Sequence, residues 1–162
     1  MTDRSVTHDT FVVERTYDAS PAHVFAACSD PAIKTQWFGA PDTAEGAKQY
    51  TLDFRVGGEE TNSGVHEGRL YGYRATIADI VPDERIVSTY EMTIDGTRMS
   101  VSVATLQLAP EGDGTRLTYT EQLAILDGLD KVEWREQGTR GLFDALDSVL
   151  QRETAASVHR SR

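Results

Sequence analysis

Residues 10–31 read TFVVERTYDASPAHVFAACSDP, and the way this stretch changes character halfway decides the fold. Thr10 to Tyr17 is rich in β-branched and aromatic side chains, which predicts a strand ended by Asp18-Ala19-Ser20-Pro21. Ser20 is of the N-cap type, and Pro21 suits the first helical position, where its missing N–H is no loss. Val24, Phe25 and Cys28 then recur at one-turn spacing, so a short helix is expected to about Ser29. Asp30-Pro31 repeats the punctuation and opens a second short helix through Ile33, Lys34 and Trp37, which Gly39-Ala40-Pro41 stops.

Downstream, from about Lys48 to Leu123, the period becomes two. Tyr50, Leu52, Phe54 and Val56 alternate with Thr51, Asp53 and Arg55, predicting a half-buried strand that bends at Gly57-Gly58. After a polar stretch, Leu70 to Val81 is the next strand, Pro82-Asp83-Glu84 turns the chain, and Ile86 to Met92 returns. Asp95-Gly96 marks a hairpin leading into Arg98 to Leu108, and Glu111-Gly112-Asp113-Gly114 marks the last one. From Lys131 to Gln151 no proline interrupts, and Trp134, Gly138, Leu142, Ala145, Leu146, Val149 and Leu150 follow helical spacing. One long amphipathic helix is expected there, and residues 153–162 are expected to be a fraying polar tail.

A chain of 162 residues with 39% hydrophobic content supplies one core, and no Pro/Gly/Ser linker or repeat divides it. The expected class is α+β: a strand, two short helices, a meander giving six or seven antiparallel strands, and a closing helix. A flat sheet would leave an apolar face in water, so a curved sheet gripping the last helix, with a cavity between them, is the economical arrangement. No apolar run is long enough to span a bilayer, and the first residues do not form a secretory leader. A net charge of −10 repels phosphate backbones, so nucleic acid is not an expected partner. With one cysteine and four dispersed histidines, neither a disulfide nor a metal site is expected, no cofactor is implied, and the reading is cytoplasmic.

Five segments carry a family resemblance: Phe11 to Phe25, Trp37-Phe38-Gly39-Ala40-Pro41, Asp53 to Gly58, Ile80 to Val87, and Gly114 to Thr118. In this order and spacing the chain resembles the SRPBCC, or START-like, superfamily over residues 8–152. Within it, the chain looks like the branch named for homologues of the activator of the heat shock protein 90 ATPase. The resemblance implies a helix-grip fold with an internal cavity for apolar or amphipathic small molecules. Relatives in the superfamily include polyketide cyclases, lipid carriers and co-chaperone domains, so fold transfers better than activity. Many members of the branch place tryptophan immediately after the glycine of the last helix. This chain has Gly138-Thr139 there, with its own tryptophan at Trp134.

Leu117, Tyr119, Glu121 and Leu123 share one strand face, which turns the Glu121 carboxylate inward. Such a group must be hydrogen-bonded, paired with a cation, or protonated, and the last state suits general acid catalysis. The alternative is a glutamate turned to solvent or paired with an arginine. Tyr71, Tyr73 and Tyr90 are candidates to present hydroxyls to the cavity, with Arg69 or Arg74 as carboxylate partners; ordinary sheet packing explains the same tyrosines. Trp37 and Phe38 form either a lid or a hydrophobic plug, and Trp134 lines the space from the helix. Phe54, Tyr119, Gly138 and Leu142 complete the expected lining. Ser63-Gly64 beside His66-Glu67 reads as a loop or hairpin without a metal motif, and Cys28 as a small core residue. Glu59 and Glu60, adjacent on a strand, point to opposite faces. Binding of a small hydrophobic or aromatic molecule is the leading expectation. A cyclase or dehydratase using Glu121 and a co-chaperone-like interaction domain are the alternatives. Homodimerisation through an exposed sheet or helix surface is compatible with the pattern, which defines no interface.

Overall fold

The computed structural model describes residues 3–38 and 49–160. Seven strands, β1 (Val6–Tyr17), β2 (Gln49–Leu52), β3 (Glu59–His66), β4 (Arg69–Val81), β5 (Arg85–Ile94), β6 (Thr97–Glu111) and β7 (Gly114–Leu126), form one antiparallel sheet in the order β1-β7-β6-β5-β4-β3-β2. Helices α1 (Pro21–Ser29) and α2 (Pro31–Lys34) follow β1, and α3 (Val132–Arg160) packs against the inner face. This is the α+β helix-grip architecture expected from the sequence.

The two proline-led helices begin as their caps dictate. Ser20 Oγ accepts the His23 N–H at 3.2 Å, and Asp30 Oδ1 accepts the Ala32 N–H at 2.9 Å. Helix α2 is shorter than predicted: it ends at Lys34, and Trp37 lies in the turn beyond. Gly39-Ala40-Pro41 and Lys48 lie outside the described residues. At the Glu67-Gly68 and Asp95-Gly96 corners both residues have positive φ, the mirror-image turn whose twist matches that of its strands.

Three further expectations are corrected. The strand predicted through Val56 ends at Leu52, and Val56 is exposed. Gly58 approaches the Asp53 carbonyl too closely for any Cβ, so the chain folds back on itself instead of extending. The polar stretch at residues 59–66 is strand β3, with Ser63-Gly64 inside it and the hairpin at Glu67-Gly68. Its polar side chains do not prevent the strand, because its ladder is supplied by the backbones of β2 and β4, which do not read residue type. The helix expected to end at Gln151 continues to Arg160, since no glycine or proline follows Gly141 and Ala155 and Ala156 favour helix.

The main core lies where β1, β7 and β6 meet α1 and α3. Val13, Val24, Leu117 and Leu146 are wholly enclosed. Burying each such side chain is worth about 1.5–3 kcal/mol. The Tyr17 hydroxyl donates to the Phe143 carbonyl at 2.9 Å, and Thr115 donates to the Ala19 carbonyl at 2.6 Å, joining the strand-to-helix corner to α3 and β7. Register shifts at Ile77/Asp79 and Met92/Thr93 bend the other half of the sheet. The second turns both Met99 and Ser100 inward. Sheet and helix therefore diverge toward β2–β5, leaving space between them.

Candidate functional site

That space is a cavity of about 650 Å³, within the range of pockets that take small organic molecules. Its wall is mostly apolar: Ile77, Ile86, Ile94, Met92, Met99 and Leu106 come from the sheet, Leu142 and Phe143 from α3. The expected residues are brought together there. Trp37 and Phe38 close the α2 end, Phe54 follows β2, and Tyr71, Tyr73, Tyr90 and Tyr119 come from successive inward positions of β4, β5 and β7. Trp134, Gly138 and Leu142 border it from α3.

Trp37 behaves as a plug: it is buried in the core cluster, and its indole N–H donates to the Ala27 carbonyl at 2.9 Å. Phe38 meets Tyr73 edge-on with ring centroids 5.0 Å apart. Trp134, by contrast, is 60% exposed, and the Lys131 ammonium lies 4.8 Å from its ring centroid. Cys28 borders the cavity with its thiol pushed up to about 12 by burial, so it stays protonated near neutral pH.

Two buried carboxylates organise the tyrosines. Glu121 is 0% exposed and stands behind the cavity wall. Its Oε1 accepts the hydroxyls of Tyr90 at 2.6 Å and Tyr119 at 2.7 Å, and its Oε2 accepts Ser102 Oγ at 3.0 Å and Arg135 Nη1 at 3.1 Å. Four donors fill the acceptor capacity of one carboxylate. The carboxylate thus points inward as expected, but its partner is an arginine and tyrosine rings screen it from the cavity. Neither arginine expected as a partner for a carboxylate reaches Glu121: Arg69 borders the cavity and pairs with Asp95, and Arg74 pairs with Glu59 on the outer face. Arg135 also reaches Tyr90 Oη at 3.0 Å, Ser100 Oγ at 2.7 Å and Asp130 Oδ2 at 2.7 Å. Burial opposes its charge, but the Tyr90 hydroxyl, Glu121 and Asp130 outweigh that and hold its pKa above the usual arginine value.

The second carboxylate was not singled out from the sequence. Glu60, 4% exposed, lines the cavity and accepts Tyr50 Oη at 2.6 Å and Tyr73 Oη at 3.0 Å. Lys34 Nζ lies 2.7 Å from it. Alternation on β3 did put Glu59 and Glu60 on opposite faces, yet only the sheet order shows that the inward face looks into a cavity. Arg135 was missed for a different reason. The apolar stripe at residues 134, 138 and 142 points to the cavity, while Arg135, Thr139, Phe143 and Leu146 form the more deeply buried stripe one position on. Burial raises the hydroxyl pKa of Tyr50, Tyr73, Tyr90 and Tyr119 above the ordinary tyrosine range, with the neighbouring Glu60 or Glu121 charge adding to it. All four remain neutral donors. Among the described residues no group of three or more histidine, cysteine or acidic side chains is placed to hold a metal ion, and no helix is long and apolar enough to cross a membrane.

Comparison with known proteins gives the same fold. Residues 18–151 match the sequence model of the family described as activator of Hsp90 ATPase homolog 1-like protein. An uncharacterized protein from Rhizobium leguminosarum is 42% identical and superposes with a TM-score of 0.87, over 93% of this chain and 99% of its own. The Mll3558 protein from Rhizobium loti is 47% identical, with a TM-score of 0.82 over 90% and 99% of the two chains. Protein CV1439 from Chromobacterium violaceum, at 21% identity and a TM-score of 0.71 over 87% and 96%, shares the fold. No functionally curated protein matches.

Proposed function

The chain belongs to the family of activator of Hsp90 ATPase homolog 1-like proteins, and from that premise we propose that it binds a small hydrophobic or aromatic molecule between its sheet and α3. The cavity carries this reading: about 650 Å³ of space walled by aliphatic, methionine and aromatic side chains with a few convergent polar groups. Space of that kind is costly to maintain, because unfilled apolar walls forgo dispersion contacts that a packed core would make. A bound molecule restores them.

Trp37 and Trp134 both border the cavity and serve as native reporters. Titration with a panel of sterols, fatty acids and aromatic polyketides is expected to change tryptophan emission for at least one class. The same class is expected to raise stability by about 2.7 kcal/mol at a hundred times its Kd. A panel that moves neither emission nor Tm would remove the proposal's support.

The family name supplies a second reading, an interaction domain that stimulates an Hsp90-type ATPase. ATPase rates with and without the purified chain test it directly, and unchanged rates dispose of it. A cyclase or dehydratase reading loses its intended acid, because Glu121 is screened from the cavity by Tyr90 and Tyr119.

A further inference from the structure

We propose that the cavity selects an uncharged ligand, an apolar or aromatic skeleton bearing a hydroxyl, carbonyl or amide, and rejects the carboxylate of the same skeleton. The proposal rests on the ligand-binding reading above and narrows it to a chemical class.

Among the described residues, every charged side chain on the cavity wall already has an opposite charge against it. Lys34 Nζ is 2.7 Å from Glu60, and it also faces the rings of Phe38 and Trp37 at 4.6 and 5.9 Å. Arg135 lies 3.1 Å from Glu121 and 2.7 Å from Asp130, and Arg69 lies 3.0 Å from Asp95. An anionic ligand entering this space gives up its hydration and finds Lys34, Arg69 and Arg135 all engaged. To gain a counter-charge it must displace a carboxylate, which is then itself buried and unpaired. A cationic ligand meets the mirror-image problem, since Glu60 already accepts Lys34, Tyr50 and Tyr73.

The open hydrogen-bonding capacity is neutral. Among the described residues, the Asn62 amide, the Tyr71 hydroxyl and the Ser88 hydroxyl line the cavity without a side-chain hydrogen bond. Asn62 stands opposite Tyr73 in the β3–β4 register, and Tyr71 is two positions along the same face. Diagonal neighbours of this kind are about 7–8 Å apart, so a donor–acceptor amide and a phenol flank one region of wall. A ligand hydroxyl or carbonyl recovers there the hydrogen bonds it leaves in water, with no charge to neutralise.

The test titrates the full chain at neutral pH with matched pairs, acetylnaphthalene against naphthoate and dodecanol against dodecanoate, reading tryptophan emission and Tm. The neutral member of each pair is expected to bind roughly tenfold tighter or more, the scale set by one charge-assisted hydrogen bond left unmade. Asn62→Leu combined with Tyr71→Phe is expected to weaken neutral binding about fivefold to tenfold. Tyr71→Phe alone, which deletes only a hydroxyl, keeps the test valid where the double variant does not fold. Carboxylates that bind as tightly as their neutral partners overturn the proposal and leave ligand binding standing. Silence from all four compounds takes down both. An affinity unmoved by these substitutions removes Asn62 and Tyr71 from recognition and overturns the assignment.

Discussion

Glu121 holds four donors on two oxygens, so replacing it takes the buried acceptor from the Tyr90, Tyr119 and Ser102 hydroxyls and one of two carboxylates from Arg135, which keeps Asp130. Glu121→Leu is expected to cost about 3–5 kcal/mol, since each buried donor left without its acceptor costs about 1–3 kcal/mol. Adding Arg135→Met should bring the loss below the sum of the two single changes by about 1 kcal/mol or more, measured by urea unfolding; strict additivity would show that the two side chains do not act as a unit. Cys28 supports a pH prediction. Burial raises its thiol from 9.0 to about 12, so the folded chain holds a proton that the unfolded chain releases. That contribution to stability is complete below pH 9 and is lost as pH climbs through about 12. Thermal unfolding should show Tm falling from about pH 9 upward, with Cys28→Ala flattening the first part of the decline before tyrosine ionisation enters. An identical slope in wild type and variant contradicts the assignment. At this scale the sequence was only partly legible. Glu121 could be placed inward from its strand neighbours, but the residue that neutralises it lies on another element and the pairing is non-local. Glu60 was hidden for the same reason.

The elements were read best where local chemistry alone decides them. Ser20-Pro21 and Asp30-Pro31 cap the helices that their side chains predict, and Asp95-Gly96 makes its hairpin. Strand β3 was obscured because its partners, not its composition, make it a strand. The strand read past Leu52 failed because a close backbone approach at Gly58 outweighs an alternating pattern. In α3, Gly138 faces open space, with no atom outside its own turn near the site of a Cβ. Glycine inside a helix costs about 0.5–1 kcal/mol relative to alanine, so Gly138→Ala should raise Tm by about 1–4 °C. Gly138→Phe projects a ring toward the cavity and should weaken ligand binding while the far-ultraviolet dichroism stays unchanged. A loss of stability in the alanine variant would mean that the glycine serves a backbone geometry instead.

For the whole molecule, architecture was legible because hydrophobic period and turn chemistry must agree along the entire chain, whereas the shape of the enclosed space depends on two register shifts that no local pattern announces. A net charge of −10 acts at this scale too. Self-repulsion destabilises a compact state, and salt at about 0.5 M shortens the screening length to a few ångströms, so Tm should rise by a few degrees with sodium chloride. A fall would mean that the surface ion pairs outweigh the net repulsion. The sheet order has a consequence for how the chain is made. Every strand pairs with its neighbour in sequence except β1, which pairs with β7 from Val6 against Leu126 to Tyr17 against Thr115. During translation β1 leaves the ribosome before β2 to β6 and long before β7, its partner among the described residues, so it stays unmated while they are made. A message cut short before β7 therefore leaves β1 with an open edge in place of a smaller closed fold, and the sheet closes only once β7 has been made.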